Sequence, residues 1–308
     1  MAAVAGRLIP VSGSRDTARV AAIVVNFNAG EALGRCIRSV LEQDATTTVT
    51  VIDNASTDGS DDRARQQSVH EARLTVVRNP DNRGFAKAVN QAANRVDADF
   101  LLILNPDCVL RPGALEGLRQ ALEADPQAAL AGPLVLDSAG QPARANLRRF
   151  PDPWRSFVTF SGLWRLEQWL PLFRGVEPLA GLPHQVTEAE AVSGACMLVR
   201  KSVFLDVGGM DEAYGLHCED LDLMFRLRRS GGYCVFVPQA QAEHAQGVSS
   251  SSRPLWVHWQ KHRGMQRFYL KLQAPGYRPL LRWPLSLLVL VGIWARFAVT
   301  LPFALMRR

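Results

Sequence analysis

Between Val20 and Asp107, short apolar runs of strand length alternate with helix-like segments, and each run is closed by polar residues. This alternation constrains the chain more than any other feature. Val20 to Val25 ends at Asn26, Asn28 and Gly30, and Glu31 to Gln43 then repeats Leu33, Cys36, Ile37, Val40 and Leu41 at helical spacing. Thr47 to Ile52 is a second β-branched run, ended by Asp53-Asn54-Ala55-Ser56-Thr57-Asp58-Gly59-Ser60. A polar helix through Asp61 to Ala72 precedes a third strand at Leu74 to Val77. The loop Arg78 to Gly84 and a helix over Phe85 to Val96 lead to a fourth strand, Phe100 to Leu104, closed by Asn105-Pro106-Asp107. The pattern predicts an α/β fold whose parallel sheet is covered by helices on both faces.

Sheets of that kind bind ligands beyond the carboxyl ends of their strands. The loops after strands one, two and four carry Asn26/Asn28, Asp53/Asn54 and Asn105/Asp107, three polar clusters at corresponding ends. Any one alone would be ordinary turn chemistry. The first loop, N-F-N-A-G, is not the dinucleotide fingerprint, and no phosphate-binding G-x-x-x-x-G-K-S/T occurs, so dehydrogenase and P-loop chemistries are disfavoured. An acid at the second strand end suits a ribose hydroxyl or a base N–H. Asp107 is a lone carboxylate, so a magnesium or manganese ion held there would be bound mainly through phosphate oxygens and water.

A second concentration of chemistry runs from Val192 to Gly232. Ser193-Gly194-Ala195 leads into an apolar run, Gly208-Gly209 punctuates it, and Asp211, Glu219, Asp220 and Asp222 follow. From Glu219 the spacing turns helical, with Leu221, Met224, Phe225 and Leu227 apolar and Arg226, Arg228 and Arg229 near the end. Asp222 has a structural partner in Arg226 at i, i+4. Glu219 and Asp220 open the helix, where they serve either as N-terminal acids favoured by the helix dipole or as a general base facing a cleft.

A chain of 308 residues has room for one large domain and a smaller appendage. The net charge of +6 and the sequence pI near 9.4 favour anionic partners. The bases lack the aromatic-interleaved face of a nucleic-acid binder, so nucleic acid is not expected. Five cysteines without a C-x-x-C pair read as reduced thiols of a cytosolic setting. Residues 1–18 lack an apolar signal-peptide core and read as a flexible tail.

The ordered set V-V-N-F-N, V-I-D-N-A-S-T-D-G-S, N-R-G-F-A-K-A-V-N, L-N-P-D, S-G-A-C-M-L-V-R and E-D-L-D-L-M-F-R-L-R resembles the family 2 glycosyltransferases. Within them it is similar to the bacterial rhamnosyltransferase-like enzymes of cell-wall and surface-polysaccharide assembly. The resemblance runs from about Val20 to Ser252. It implies a GT-A nucleotide-diphospho-sugar transferase fold, a Rossmann-like mostly parallel sheet flanked by helices. It also implies an inverting transferase using a nucleotide-diphospho-sugar donor and a divalent cation (Mg2+ or Mn2+). The donor would lie against Val25, Asn26, Asn28, Asp53, Asn54, Asn105 and the Asn82-Arg83-Gly84 loop. Asp107 matches the last acid of the family's metal-binding element, and His244 a histidine that in relatives reaches the metal or diphosphate. Asp220, with Glu219 beside it, matches the general base; Gly194 and His217 fall on the acceptor side. Asn105 stands where many relatives carry an acid, and His217-Cys218 where aromatic residues are common.

Residues 143–182 interleave Arg with Trp, Phe and Leu, which suits either a helical insertion packed on the sheet or a surface facing lipid or acceptor. The chain thus divides into the tail, a catalytic domain over 19–252, and C-terminal helices over 253–308. In the last part Trp283 to Ala295 is almost wholly apolar, Arg296 interrupts, and apolar residues resume to Met306 before Arg307-Arg308. The uninterrupted run is short for a span of about 20 residues, so an interfacial or re-entrant helix on the cytoplasmic membrane surface is favoured over a spanning one. Such an anchor, with the basic charge, suits a polyprenyl-diphosphate-linked or glycan acceptor; the resemblance to the rhamnosyltransferase-like enzymes implies dTDP-rhamnose as the first donor, with UDP-linked hexoses behind it. A sugar-phosphate nucleotidyltransferase and a non-catalytic nucleotide-binding protein are the competing classes.

Overall fold

The computed structural model describes residues 18–179, 181–245 and 254–306. The tail up to residue 17, the serine run 249–252 and the closing arginines at 307–308 lie outside the described residues.

The expected alternation is present. Strands β1 (Val20–Asn26), β2 (Thr48–Asp53), β3 (Leu74–Arg78) and β4 (Phe100–Leu104) alternate with helices α1 (Glu31–Leu41), α2 (Ser60–Val69) and α3 (Phe85–Ala93). The strands lie parallel in the order β3-β2-β1-β4. On β1, Ala22 and Val24 join one core with Leu33 and Ile37 of α1, while Ile23 and Val25 join the other with Val89 of α3. Both faces of the strand are thus buried, which is why its sequence is continuously apolar.

Past β4 the sheet becomes mixed. After β5 (Cys108–Leu110), α4 (Ala114–Ala124) and β6 (Ala128–Leu136), the chain leaves the sheet through β7 (Leu147–Arg148) and α5 (Pro153–Ser161). It returns through β8 (Thr187–Ala189), β9 (Ala191–Val192) and β10 (Cys196–Arg200). Strand β10 inserts antiparallel between β4 and β6. After α6 (Lys201–Asp206) and α7 (Glu219–Arg229), β11 (Tyr233–His244) lies parallel to β6 and antiparallel to β5 and β8. The antiparallel β10 departs from a purely parallel reading, because an apolar run does not encode its direction. Its reversal brings the Ser193-Gly194-Ala195 turn to the carboxyl end of β4, where the Asn105 N–H donates to Ala195 O at 3.0 Å.

The C-terminal part is α8 (Pro254–Phe268), a π-helical turn over Tyr269–Gln273, a 3-10 turn over Ala274–Gly276 and α9 (Pro279–Met306). Helix α9 is continuous through Pro284 and Pro302 and, by length and composition, long enough to cross a membrane, with mean hydropathy 2.0 and none of its most apolar window buried. Leu280, Trp283, Leu287, Leu288, Val291 and Phe303 are exposed on it. Arg296 points the other way. Its Nη1 donates to His262 Nε2 at 3.0 Å, and His262 Nδ1 donates to His258 O at 2.8 Å, which fixes a neutral imidazole within α8. Burial of His262 lowers its pKa to about 4. The cation that made a spanning segment awkward is therefore covered by α8.

Residues 143–182 hold α5 and two 3-10 turns, with Trp154, Phe157, Phe160, Trp169 and Leu172 exposed. Asp152 caps α5 by accepting from Arg155 N at 2.7 Å, and Pro153 occupies the first turn. The Arg296 guanidinium lies 5.8 Å from the Phe160 ring, so the exposed aromatic face of α5 adjoins α9.

Candidate active site

The loops after β1 and β2 interlock. Asn26 and Asp53 are wholly buried, and Asn26 Nδ2 donates to Asp53 Oδ1 at 2.7 Å, Ser60 Oγ at 2.8 Å and Ser56 Oγ at 3.0 Å. Asp53 Oδ2 accepts from Ser56 N at 3.0 Å. Asn28 Oδ1 accepts from Thr57 N at 2.7 Å, and Asn28 takes φ 52°, a left-handed conformation that Asn tolerates better than most residues. Asn54 Nδ2 reaches Gly84 O at 3.2 Å, while Asn82 Oδ1 accepts from Gly84 N at 3.0 Å. Val25, Asn26, Asp53 and Asn54 thus form a buried floor. Asn82 and Arg83 stand exposed above it, beside an open hollow of about 440 Å³ that they line with Pro80, Asp81 and Lys87.

The second cluster lies where β4 ends. His244, the last residue of β11, comes beside the Asn105-Pro106-Asp107 turn because β11 pairs with β5. His244 Nε2 is 3.1 Å from Asp107 Oδ1 and 3.3 Å from Asn105 Nδ2, with Asp107 nearly buried. A carboxylate oxygen and an imidazole nitrogen already converge here. They fit a divalent ion whose remaining ligands are supplied by phosphate oxygens and water, and no group of three His, Cys, Asp or Glu side chains competes among the described residues. Beneath the turn lie the buried thiols Cys36, Cys108 and Cys196, with the Cys36 thiol donating to Asn105 O at 3.5 Å.

The third cluster is the start of α7. Glu219 and Asp220 are its first two residues, and the preceding Cys218 makes no side-chain cap. His217 and Cys218 take φ 67° and 70°, consecutive left-handed residues that only surrounding packing holds in place. That packing comes from α8. A Cβ on Gly264 would stand 2.7 Å from His217 O, and Gln260 lies against Gly215, so α8 forms the back wall of the acidic turn. Asp220 Oδ2 accepts from Arg148 Nη2 at 2.5 Å, and the same nitrogen donates to Val192 O at 2.7 Å. Burial works against the Asp220 charge, but the charge and hydrogen bond of Arg148 outweigh it and hold the carboxyl below its ordinary pKa. Glu219 is pushed the other way, to about 8, by burial and then by the Asp220 charge, and its Oε2 is buried without a partner.

Asp222 is structural, as its spacing predicts, pairing with Arg226 Nε at 2.5 Å. Lys271 of the π-helical turn adds a tie the sequence did not reveal, reaching Asp222 Oδ2 and Asp211 Oδ2 at 2.7 Å each. Arg148 was also missed, since only the fold brings it to a carboxylate 72 positions away. The Asp107 and Asp220 clusters are linked through the β10 turn: Asn105 bonds Ala195, and Gly194 abuts Asp220. His217 is exposed at the rim of that turn.

A mostly parallel sheet with polar loops at its strand ends, a turn acid and an acidic helix start has a GT-A-like architecture. The solved structure of the mannosyltransferase PcManGT from Pyrobaculum calidifontis, in complex with GDP-Man and Mn2+, shares this fold at TM-score 0.59 and 17% identity, covering 98% of this chain and 77% of that one. GalNAc-T7 with UDP, GalNAc and Mn2+ matches at TM-score 0.61 and 14% identity, over 83% of this chain and 48% of that one. The model of the glycosyl transferase family 2 matches residues 21–182, and the chain belongs to that family. Among curated relatives, the N-acetylglucosaminyl-diphospho-decaprenol L-rhamnosyltransferase of Mycobacterium tuberculosis is 28% identical over 85% of this chain and 88% of its own length. The rhamnosyltransferase WbbL of Escherichia coli is 29% identical over 51% of this chain and 56% of its own. The chain is therefore a glycosyltransferase, and the curated relatives named here are rhamnosyltransferases.

Proposed function

We propose that this enzyme transfers L-rhamnose from dTDP-rhamnose, with inversion, onto a lipid-linked sugar at the cytoplasmic face of the membrane. The observation that carries this reading is the joining of the Asn105-Pro106-Asp107 turn to the Asp220 turn through Ala195 and Gly194. The names of the curated relatives supply the sugar and the class of acceptor. The exposed faces of α5 and α9 supply an apolar surface for the bilayer.

The donor's nucleotide lies over the β1 and β2 loops, with Arg83 exposed beside its phosphates. Asp107 and His244 would hold a divalent cation, which when bound neutralises charge on the leaving diphosphate. Asp220 takes the proton of the acceptor hydroxyl as its oxygen attacks the anomeric carbon. The bond from that carbon to the phosphate oxygen breaks, and its electron pair leaves with the nucleoside diphosphate. Attack opposite the leaving group inverts the centre. Glu219, pushed up to about 8 by burial and the Asp220 charge, holds its proton more readily than Asp220 and leaves the role of base to it.

Incubating the enzyme with a panel of nucleotide sugars, Mn2+ and a lipid-linked N-acetylglucosamine acceptor tests this. dTDP release coupled to a product of inverted anomeric configuration is expected, and EDTA abolishes it. Equal turnover of unrelated donors, or a retained configuration, overturns the reading.

A further inference from the structure

Arg148 uses its guanidinium incompletely. A guanidinium offers five N–H donors in a flat fork suited to carboxylate or phosphate oxygens. Here Nη2 alone makes the contacts to Asp220 and Val192, and Nε is buried with no partner. The side chain is only 16% exposed, so that idle N–H is not satisfied by bulk water. An arginine serving solely to pin Asp220 gains nothing from leaving a buried donor unpaired.

Its position along the fold suggests what completes it. Arg148 flanks the acceptor-side carboxylate at one end of β7, and the chain runs directly from there into α5. The aromatic face of α5 opens at Trp154 and continues through Phe157 and Phe160 to the side of α9. A lipid-linked acceptor presents a sugar hydroxyl, a diphosphate and a lipid in that fixed order. Asp220 suits the first part and the apolar face suits the third. Arg148 bonds Asp220 and precedes the α5 face in the chain.

We propose that Arg148 binds the diphosphate of a lipid-diphosphate-linked acceptor and so selects that acceptor over uncharged glycosides. The inference rests on the lipid-linked reading of the function and names the group that recognises the linkage. A phosphate oxygen meets the exposed part of the fork, takes up Nε with a turn of the side chain, and shares the positive charge now held by Asp220. The base then gains proton affinity only when the proper acceptor is in place.

The test compares two acceptors with the full-length enzyme and dTDP-rhamnose: one sugar carried on a short alkyl diphosphate, and the same sugar as a neutral alkyl glycoside. The wild-type enzyme is expected to favour the diphosphate in kcat/KM. Arg148→Met should cut that preference by about tenfold or more, the range for hydrogen bonds to charged groups. Arg148→Lys, which keeps the charge but not the fork, should fall between, and it serves as the comparison where the methionine variant does not fold. Any general effect on Asp220 acts on both acceptors and cancels in the ratio. A ratio unchanged in the folded variants overturns the proposal, as does a wild type that treats the two acceptors alike while still transferring sugar. A wild type that transfers to neither acceptor from any donor removes the underlying function instead, and the proposal with it.

Discussion

Gly194 and Asp220 are in direct contact, so that a Cβ on Gly194 would stand 2.6 Å from Asp220 Oδ2 and 2.8 Å from its Cβ. The carboxylate thus occupies space that a side chain at position 194 would take. Gly194→Ala should therefore move the Asp220 side chain without unfolding the sheet. A displacement of that order costs about 10²-fold in rate. The expected result is a kcat loss with donor affinity and circular dichroism unchanged; a fully active alanine variant would separate Asp220 from the chemistry.

The protonation of Asp220 sets a second expectation. Its pKa is depressed in the fold, so the base is ready above that value, and activity falls as pH drops through it. The acid limb of the kcat/KM profile should thus lie below the ordinary aspartate range and move upward in Arg148→Met. Asp220→Asn should lower kcat by about 10²–10⁴-fold while leaving donor binding intact. A pH–rate series on the three proteins decides it.

Stability should respond to pH through His262, which is wholly buried and has its pKa lowered to about 4. The unfolded chain binds a proton near pH 6.5. Folded-state stability is therefore complete above that value and declines as pH falls toward 4. The burial of the ring and the Arg296, His258 and Lys261 charges oppose protonation and outweigh the His258 carbonyl, which accepts from Nδ1 and favours it. His262→Gln should flatten the fall of the unfolding midpoint between pH 6.5 and 4, measured by scanning fluorimetry; an unchanged slope counts against the assignment.

Membrane attachment is tested on the outer face of α9. Leu287 and Leu288 are 66% and 67% exposed, so replacing both by Glu removes apolar surface without disturbing α8. Each buried leucine is worth about 1.5–3 kcal/mol, so vesicle affinity should fall by at least tenfold per position. Flotation with anionic liposomes reads this out directly, and undiminished binding would assign the attachment to another surface.

Much of the donor half was legible because its strands are apolar on both faces and its loops break sharply. Phe100 to Leu104 has the expected bounds, β1 and β3 each run one residue further, and β2 is shifted by one residue at both ends. The start of α7 at Glu219 was equally plain from its switch to helical spacing. What spacing cannot carry is which strand turns back. The antiparallel β10 and the union of Arg148 with Asp220 are long-range outcomes. The continuous α9 was underestimated because Arg296 read as an interruption, whereas its charge is taken up by α8.

The contact between Gly264 and the carbonyl of His217 ties the C-terminal helices to the acidic turn. Anyone trimming this enzyme for crystallisation has to keep α8, on which α9 also packs through Trp294 and Arg296. A cut upstream of Gln260 would take away the wall behind the Asp220 turn.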